Sequence, residues 1–429
     1  MSKPLIPEIR FKGFTDEWQQ AKVREVFTLG NGYTPSKANP AFWTKGTIPW
    51  FRMEDIRENG RVLSDSIQHV TPEAVKSSGL FPAGSIIVST TATIGEHALL
   101  IADSLANQRF TVFKTVNRWS WLKAKYLLYR FYGLGDWCRR NVNAGGLAAV
   151  NITDLQKYDI DFPSTEEERD SIASYFENID ELIKETEREI SRLENMKIAS
   201  LQKMFPRQES LVPEIRFKGF TGDWQVSSFS DVFTPLKNNT LSRACLNYES
   251  GKIKNIHYGD VLIKFKSVVD VNSAMVPYVN KDINIELNSF NTLNNGDIIF
   301  SDTAEDEAVG KCVEIQGADV FVAISGLHTI AVRPTIEFAR YYLGYFLNSN
   351  SYHSQLRSLM QGIKVLSISR YAMADTRVLY PKSIDEQKVI GEYFRSLDSL
   401  LSAKRQKLVK LRNLKQSCLD KMFINNTAQ

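Results

Sequence analysis

The sequence predicts a mixed α/β protein with an internal repeat, in which two globular domains are separated by two long helices that form an antiparallel coiled coil. The first observation behind this prediction is a repeated peptide. Segment Pro7–Trp18 reads PEIRFKGFTDEW and segment Pro213–Trp224 reads PEIRFKGFTGDW, so ten of twelve positions are identical at an offset of 206 residues. Such self-similarity indicates a chain built from two related halves.

A second repeated stretch ends each half. Segment Glu168–Phe205 aligns without gaps on segment Glu386–Phe423, with thirteen of 38 positions identical at an offset of 218 residues. The residues between the repeated stretches are largely unalike. The sequence therefore predicts a pseudo-two-fold frame that carries two different inserts, with domains at 1–163 and 207–381 and helical segments at 164–206 and 382–429.

Apolar residues recur in alternating steps of four and three along both helical segments. A seam that repeats every 3.5 residues is typical of a coiled coil. Its polar interruptions coincide, because Thr186 corresponds to Lys404 and Lys197 to Lys415. Two amphipathic helices, each packed on its own domain, are the alternative, but the equal length and shared register favour pairing of the helices. The apolar seam residues are Ile172, Phe176, Ile179, Ile183, Ile190 and Leu193 in the first helix, and Ile390, Phe394, Leu397, Leu401, Leu408 and Leu411 in the second.

Each insert has the composition of a small α/β domain. Both contain the pattern Gly-x-Ile-Ile-x-Ser, at residues 84–89 and 296–301, which predicts a strand entered through a tight turn. A short helix is expected to follow in each half, near residues 122–132 and 338–348. The loops are rich in Thr, Ser, Asn, Gln and Gly, which are ordinary turn residues and also adaptable partners for base edges and phosphates.

The overall composition narrows the class of protein. A hydrophobic content of 43% with 11% aromatic residues supports packed cores. A net charge of +4 is compatible with nucleic-acid binding but is too small to indicate it. We expect no signal peptide or membrane span, because no apolar run approaches the ~18 residues that a span needs. The cysteines are far apart and form no Cys-x-x-Cys pair, which predicts a reducing, cytoplasmic environment: they are Cys138, Cys245, Cys312 and Cys418.

Motifs for catalysis and cofactors are missing from the sequence. No phosphate-binding loop and no dinucleotide-binding glycine motif is present, and the five histidines lack the spacing of metal ligands. No nucleophile, base and orienting partner can be assembled from the spacing of residues. The sequence therefore predicts a chain that is not an enzyme on its own and that binds no metal or cofactor.

The repeated peptides and several short motifs resemble one known family. The chain is similar to the specificity subunit of type I restriction–modification systems, and the resemblance covers essentially the whole chain in the right order. The first long helix departs from the family pattern only in having Glu168-Arg169 where the family has Glu-Gln. The residues that carry the resemblance are 7–14 with their copy at 213–220, Tyr33–Ser36, Ile48–Trp50, Ala92–Gly95, Asn107-Gln108, and the segment Pro381–Ile390 that enters the second helix.

The resemblance implies a division of labour. Each globular domain would be a target recognition domain that reads one half of a bipartite, asymmetric site in double-stranded DNA, while the coiled coil sets the spacing. Two modification (methyltransferase) subunits would dock on the frame and bring S-adenosylmethionine, and two restriction (motor-nuclease) subunits would bring ATP and Mg²⁺. Helices of ~55–60 Å would separate the readers by about 1.5 turns of B-DNA.

Candidate DNA contacts follow from polar loops beside predicted strands. Lys37 follows a Tyr-Thr-Pro-Ser turn and Arg52 follows a Trp-Phe pair. Gln108 and Arg109 could read adenine and guanine edges, whereas Lys264 and Lys266 are expected to hold phosphates. The alternative for each residue is a surface turn without a DNA role. The candidates are Lys37, Arg52, Thr91, Thr93, Gln108 and Arg109 in the first insert, and Lys264, Lys266, Asp302, Thr303, Glu305 and His328 in the second.

Two other functions compete with DNA recognition. One is a coiled-coil scaffold that joins two protein- or glycan-binding modules without DNA. The other is a stand-alone methyltransferase, against which the missing cofactor motifs count heavily. The recognised bases cannot be predicted, because pocket geometry rather than residue type sets them.

Overall fold

The computed structural model describes residues 4–143, 148–207, 210–283, 285–286 and 291–424. The chain divides into two compact units, of which unit 1 comprises residues 1–187 with 407–429 and unit 2 comprises residues 188–406. Each unit thus contains one insert and part of both long helices. The four segment boundaries expected from the sequence stay a prediction.

Ten strands and five α-helices begin within the described residues of unit 1, and the last of these helices continues into unit 2. The helices are α1 (Val23–Val26), α2 (Met53–Asn59), α3 (Ala124–Arg140), α4 (Ile152–Leu155) and α5 (Glu166–Lys203). The strands are β1 (Gln19–Lys22), β2 (Phe27–Asn31), β3 (Ile48–Phe51), β4 (Val62–Leu63), β5 (His69–Val70), β6 (Ile86–Ser89), β7 (His97–Leu100), β8 (Leu105–Ala106), β9 (Phe110–Thr115) and β10 (Asp159–Phe162).

Unit 2 repeats this plan with additional short elements. Its helices are α6 (Phe229–Val232), α7 (Tyr258–Ile263), α8 (Tyr342–Leu347), α9 (Asn350–Arg357), α10 (Arg370–Met373) and α11 (Ile384–Lys421), the last of which continues into unit 1. Its strands are β11 (Gln225–Ser228), β12 (Phe233–Leu236), β13 (Leu246–Asn247), β14 (Ile253–Ile256), β15 (Val268–Asp270), β16 (Tyr278–Val279), β17 (Ile298–Ser301), β18 (Thr303–Ala304), β19 (Cys312–Gln316), β20 (Val322–Ser325), β21 (Thr329–Pro334), β22 (Leu366–Ser367) and β23 (Arg377–Tyr380).

Both units are built on a five-stranded mixed sheet of the same topology. The order is β2-β9-β6-β7-β4 in unit 1 and β12-β21-β17-β19-β15 in unit 2, and only the last strand of each sheet runs parallel to its neighbour. The predicted Gly-x-Ile-Ile-x-Ser strands are confirmed as the central strands β6 and β17. Gly84 (φ 88°) and Gly296 (φ 90°) begin these strands in a left-handed conformation that a side chain would strain.

A second sheet in each unit contains a parallel pair of strands from distant parts of the insert. In unit 1 this pair is β3 and β8, in the order β5-β3-β8; in unit 2 it is β14 and β20, in the order β13-β16-β14-β20. Strands β1 and β10 pair antiparallel where the insert of unit 1 begins and ends, and β11 and β23 do the same in unit 2. Each insert is therefore closed by its own two-stranded ribbon.

The repeated peptide of unit 1 connects the two long helices. Arg10 donates two hydrogen bonds to Glu168 in the first turn of α5, at 2.6 and 2.7 Å. The backbone N–H of Ile9 donates to the carbonyl of Lys421 at the end of α11, at 2.9 Å. A single peptide thus fixes the start of one helix beside the end of the other, and a bidentate pair to a buried carboxylate adds orientation to attraction.

The second copy makes the same connection in unit 2. Arg216 donates to both carboxylate oxygens of Glu386 at 2.7 Å, and the N–H of Ile215 donates to the carbonyl of Lys203 at 2.9 Å. In this copy the peptide joins the start of α11 to the end of α5. Because both of these contacts are repeated at the expected offsets, the pseudo-two-fold frame predicted from the sequence is confirmed.

The residue that departs from the family pattern keeps the function of the residue it replaces. Arg169 donates to the carbonyl of Pro163 at 2.7 Å, and its counterpart Gln387 donates to the carbonyl of Pro381 at 2.9 Å. Both side chains are buried and both close the turn that enters a long helix. The guanidinium of Arg169 also lies 4.4 Å from the ring centre of Trp121. The substitution therefore preserves the helix entry.

The two long helices run antiparallel within each unit. In unit 1 Arg412 pairs with Glu187 at 2.6 Å, and in unit 2 Arg405 pairs with Glu194 at 2.5 Å. At the ends of the pair, Phe176 stacks on Phe423 with ring centres 5.8 Å apart, and Phe205 stacks likewise on Phe394 at 5.6 Å. The predicted antiparallel coiled coil is confirmed by these repeated contacts.

The apolar seam is buried most deeply at the ends of the helices. Ile172, Phe176 and Ile179 are buried, and the first two join the hydrophobic core of unit 1, while Ile390, Phe394 and Leu397 join the core of unit 2 and Leu401 is also buried. The remaining seam residues, Ile183, Ile190, Leu193, Leu408 and Leu411, are half-buried. The helices thus pack on the domain cores at their ends and on each other along the middle, so both interpretations of the heptads hold in part.

The lysines of the seam, Lys197, Lys404 and Lys415, are paired with carboxylates. In unit 1 Lys415 lies 2.5 Å from Asp180, which also accepts a hydrogen bond from Tyr129 at 3.1 Å. In unit 2 the counterpart Lys197 lies 2.6 Å from Asp398, which accepts from Tyr345 at 2.9 Å. Because each lysine meets its acid in only one register, the duplicated triad specifies how the helices align.

Candidate nucleic-acid interface

The parallel strand pair of unit 1 brings three polar segments together. Phe51 of β3 lies opposite Ala106 of β8, so Arg52 and Asn107 follow neighbouring strand ends. The N–H of Asn107 donates to the carbonyl of Phe51 at 3.0 Å, and the N–H of Tyr33 donates to the carbonyl of Ala106 at 2.7 Å. Residues 32–37, 52 and 107–109 therefore form one surface, named loop cluster 1.

Two predicted reading residues, Gln108 and Arg109, lie together in loop cluster 1. The hydroxyl of Thr34 donates a hydrogen bond to the side-chain oxygen of Gln108. The side chain of Asn107 accepts from the N–H of Arg109 at 3.0 Å, which holds the loop while the Arg109 side chain extends into solvent. A fixed amide and a guanidinium at the end of a sheet suit the reading of base edges.

Arg52 lies at the N-terminal end of α2 and has a hydrogen-bond donor without a partner. Its Nε is buried, yet it has no hydrogen-bond partner among the described residues. The guanidinium lies 5.7 Å from the ring centre of Trp50 and 3.9 Å from the carboxylate of Glu54. A buried donor without a partner requires an explanation, and a bound acceptor is one.

The other candidates of unit 1 lie around this cluster. Thr91 and Thr93 belong to the loop after β6, where the Ser89 hydroxyl donates to the Thr91 carbonyl at 2.8 Å and lies 3.4 Å from the Thr93 hydroxyl. The N–H of Thr90 in the same loop donates to the carbonyl of Arg109 at 3.1 Å, which joins this loop to cluster 1. Lys37 is exposed in a turn at the cluster margin.

Unit 2 builds an equivalent surface with the same backbone hydrogen bonds. The N–H of Gly326 donates to the carbonyl of Ile256 at 2.9 Å, and the N–H of Asn239 donates to the carbonyl of Ser325 at 2.8 Å. Residues 238–240, 257–258 and 326–328 form loop cluster 2. Asn239 thus takes the place of Tyr33 in unit 1, and Gly326 takes the place of Asn107.

His328 is the strained member of loop cluster 2. Its φ of 55° lies in the left-handed region, which is uncommon for any residue except glycine. The ring lies edge-on to Tyr258 at 5.3 Å and its Nδ1 is 3.3 Å from Asp302. Burial raises the pKa of the Asp302 carboxyl, while His328 opposes that rise. Strain of this kind is concentrated at functional sites.

His328 and Arg109 occupy the same position of the repeat. The N–H of Asp302 donates to the carbonyl of His328 at 3.1 Å, just as Thr90 donates to Arg109 in unit 1. The predicted residues Asp302 and His328 therefore belong together. Unit 1 presents a permanent cation at this position, whereas unit 2 presents an imidazole.

His257 is a candidate that sequence reasoning missed. It precedes α7 as Arg52 precedes α2, and its Nδ1 accepts a hydrogen bond from the N–H of Gly259 at 3.1 Å. Burial, with the nearby charge of Arg243, lowers the pKa of His257 below its usual value. Alignment of the strands Ile48–Phe51 and Ile253–Ile256 could have found it, because a polar residue follows each strand.

A charged network lies beside loop cluster 2. The buried Asp260 carboxylate receives two hydrogen bonds from Arg243 at 2.7 Å and lies 3.1 Å from Lys264. Burial alone would raise the pKa of Asp260, but the hydrogen bonds from these two cations hold it below the usual value. Lys264 also donates to the Tyr248 hydroxyl at 2.5 Å. One acid faces two cations here, so the network carries net positive charge.

Three predicted residues lie apart from loop cluster 2. Lys266 donates to the backbone carbonyl of Asp398 on α11 at 3.0 Å, and burial lowers its pKa, so its neighbour is the long helix. Thr303 donates through its hydroxyl to the carbonyl of Leu366 at 3.1 Å. Glu305 is exposed in the loop that follows β18.

The described residues contain neither a cluster of metal ligands nor a membrane-spanning helix. In the part of the chain that the structure describes, no group of three or more His, Cys, Asp and Glu side chains is placed to hold a metal ion. Within the same residues no helix is long and apolar enough to cross a membrane. The four cysteines are free.

Comparison with known proteins identifies two copies of one domain. The family model for the type I restriction modification DNA specificity domain matches residues 15–195 and 221–413. The EcoprrI type I restriction enzyme specificity subunit of Escherichia coli is 43% identical over 174 residues, which are 40% of this chain and 43% of that protein. The EcoR124I/EcoR124II specificity subunit of Escherichia coli is 30% identical over 170 residues, 38% of this chain and 40% of that protein. Each alignment thus covers less than half of the relative.

Solved structures share the fold over nearly the whole chain. The type I restriction–modification S subunit from M. genitalium has a TM-score of 0.56 at 14% identity, covering 98% of this chain and 99% of that one. A chain from a study of complex assembly and conformational transition of the type I R-M system has a TM-score of 0.55 at 16% identity, covering 95% and 97%. Because the two domain matches together span most of its length, the chain belongs to the type I restriction modification DNA specificity domain family.

Proposed function

We propose that this chain supplies the sequence specificity of a type I restriction–modification complex and performs no catalysis itself. Each loop cluster would read one half of a bipartite, asymmetric target in double-stranded DNA. The observation that carries the proposal is the duplicated pair of parallel strands, whose loops have the same backbone hydrogen bonds but different side chains. Two different readers on one frame suit a target with two different halves.

The duplicated frame supports two copies of one partner. Each half has a copy of the repeated peptide, a helix start and a helix end in the same arrangement, so two similar surfaces are available. We propose that two modification subunits dock there and bring S-adenosylmethionine for adenine methylation. Restriction subunits, with ATP and Mg²⁺, would add cleavage. The alternative of a scaffold without DNA has no support from the family match or the related proteins.

Specific contacts are assigned within loop cluster 1. Arg109 and Gln108 would read base edges, Arg52 would supply a further donor, and Lys37 would hold a phosphate.

Contacts in unit 2 are assigned in the same way. His328, Asp302 and His257 would read bases, and Lys264 with Arg243 would hold the DNA backbone. Thr91, Thr93, Thr303 and Glu305 stay candidates at the margins of the two surfaces. Lys266 is a weaker candidate, because it is bonded to α11.

The test is DNA binding by the full chain assembled with its modification subunits. The target is first identified by mapping methylated adenines in cells that carry the system. We expect the double variant Gln108→Ala, Arg109→Ala to lose roughly 1–3 kcal/mol per base contact and to relax discrimination in one half of the target only. The matched control, Gln20→Ala with Arg24→Ala, removes an exposed Gln and Arg of unit 1 outside the cluster. Unchanged affinity and specificity in the first variant would show that loop cluster 1 is not a reading surface.

A further inference from the structure

A hairpin in unit 2 ends in a fully exposed aliphatic side chain. Ile363 has 100% relative exposure, and Val365 on the same turn has 54%. Isolated exposed apolar residues are normal on protein surfaces. Ile363 differs from such isolated residues because hydrogen bonds at the base of the hairpin fix the turn that carries it.

Reciprocal hydrogen bonds fix the base of this hairpin. The N–H of Gln361 donates to the carbonyl of Ser367 at 2.9 Å, and the N–H of Ser367 donates back at 2.8 Å. Gly362 has a φ of 120°, and a Cβ there would lie 2.0 Å from the carbonyl oxygen of Val365. Only glycine fits such a turn. The tip is therefore presented in a defined conformation.

The hairpin is bonded to the loop that carries predicted reading residues. Its outer strand β22 pairs with β18, with Thr303 opposite Ser367. The N–H of Ile368 donates to the carbonyl of Asp302 at 2.9 Å. Asp302 in turn lies 3.3 Å from His328 of loop cluster 2. The exposed tip thus continues the surface proposed to read DNA.

Unit 1 has a loop at the same position. The N–H of Asn143 donates to the carbonyl of Ala149 at 3.0 Å, and these residues correspond to Gln361 and Ser367 at the repeat offset of 218. The N–H of Val150 donates to the carbonyl of Thr90 at 2.9 Å, as Ile368 does to Asp302. The tip of this loop, residues 144–147, lies outside the described residues. A loop anchored in the same way beside both clusters points to a shared role.

We infer that Ile363 is a specificity-determining residue that presses its aliphatic side chain against the base pairs of the half-site read by unit 2. This inference rests on the proposed function. Apolar side chains recognise DNA either by contact with a thymine methyl group or by wedging between base steps. The neighbouring Lys364, exposed on the same turn, supplies a cation for a flanking phosphate. The shared chemistry is burial of one aliphatic group against bases.

The test compares Ile363→Ala with Val320→Ala, a truncation of another exposed aliphatic residue of unit 2 (72% exposed). Affinity is measured for the full chain assembled with its modification subunits, on the mapped target and on duplexes with either half scrambled. Ile363→Ala should weaken target binding roughly ten-fold or more. Ile363→Ala should not change affinity for the duplex in which the half-site of unit 2 is scrambled. Val320→Ala should not change affinity for any of the three duplexes. Circular dichroism checks that both variants are folded.

Two modified duplexes separate the sources of the contact. If Ile363 contacts a thymine methyl group, replacing that thymine by uracil lowers the affinity of the wild type as much as Ile363→Ala does. The same replacement causes no further loss of affinity in Ile363→Ala. If it wedges, 2-aminopurine at the contacted step brightens with the wild type and stays dark with the variant. Unchanged target affinity of Ile363→Ala overturns the inference, as does loss of modification subunits from the variant. A wild type that fails to discriminate target from scrambled DNA overturns the proposed function as well.

Discussion

The two halves of the chain are alike where they form the frame and unlike where they face solvent beside the sheets. At two corresponding positions of the loop clusters unit 1 has Arg52 and Arg109, and unit 2 has His257 and His328 with the same backbone hydrogen bonds. Arginine carries a permanent charge and a planar fork of donors, whereas the two ring nitrogens of histidine can each serve as a donor or an acceptor. The comparison shows that side chains at the loop clusters can change without change in the frame.

The largest effect is expected from charged substitutions in the apolar seam, which test whether both helices contribute equally to stability through it. Ile183 and Leu401 correspond at the offset of 218, but Leu401 is buried and Ile183 is half-buried. Leu401→Asp should reduce the free energy of unfolding by roughly 4 kcal/mol, because the carboxylate would be buried without a partner. Ile183→Asp should cost about half as much. Urea unfolding followed by circular dichroism measures both, and Leu401→Met, which conserves volume, should cost less than about 1.5 kcal/mol. Equal losses at both positions would contradict the difference in burial.

A smaller effect is expected from the duplicated lysine–aspartate–tyrosine triad. Asp398 is 10% exposed and Asp180 is 39% exposed, so removal of the charge should matter more in unit 2. Asp398→Asn should lower the free energy of unfolding by about 2 kcal/mol and Asp180→Asn by about 1 kcal/mol, since solvent screens the second pair. The double variant Asp398→Asn, Lys197→Met should be less destabilised than the sum of the two single variants. Strict additivity would show that these residues do not interact.

A third prediction concerns opposite responses of the two units to pH. In each unit one buried titratable residue of the five-stranded sheet contacts the first long or short α-helix that follows the sheet. This residue is Glu314, beside α8, in unit 2 and His97, beside α3, in unit 1. Burial raises the pKa of Glu314 to about 7, despite hydrogen bonds from the N–H groups of Tyr341 and Gly344. Burial and the charge of Arg61 lower the pKa of His97 to about 3.

The signs of these two shifts differ. Between pH 4.5 and 7 the folded state holds a proton on Glu314 that the unfolded state has lost, so stability from this residue falls as pH rises. Between pH 6.5 and 3 the unfolded state holds a proton on His97 that the folded state lacks, so stability from this residue falls as pH falls. From pH 5 to 6.5 each contribution changes by up to roughly 2 kcal/mol.

Two variants measure these contributions by urea unfolding at pH 5, 6 and 6.5. Glu314→Gln should make the free energy of unfolding rise more steeply with pH than in the wild type. The reason is that the substitution removes the contribution of Glu314, which decreases as pH rises. His97→Gln should make stability rise less steeply. Slopes that match the wild type in either variant would show that the residue titrates alike in the folded and unfolded states.

Much of the frame follows from the sequence because repetition and heptad register are local patterns. Steps of four and three along α5 and α11 predicted the seam, and the coincidence of Lys197 with Lys415 marked the polar layers. Their partners Asp180 and Asp398 were not predicted, because they lie outside the seam and only the antiparallel alignment brings them to the lysines. Pairing between helices more than 200 residues apart leaves no local signal in either helix.

The candidate interface was predicted only in part for the same reason. A polar loop in the sequence predicts Gln108 and Arg109, but the contact of Gln108 with Thr34 depends on the parallel pairing of β3 with β8. The sequence predicts a phosphate contact for Lys266, and no pattern in the insert shows that this residue meets α11. His257 was missed because it precedes a short helix in place of the usual capping residues.

We propose that each insert reads its own half of the target independently of the other. The most direct test replaces residues 19–163 with the insert of another family member, produces the chimera with its modification and restriction subunits, and maps methylated adenines across the genome. A reciprocal chimera of residues 225–381 is the matched control. We predict that each chimera changes one half of the methylated sequence, a different half in each case, and leaves the other half intact. A change in both halves from a single swap would contradict the claim.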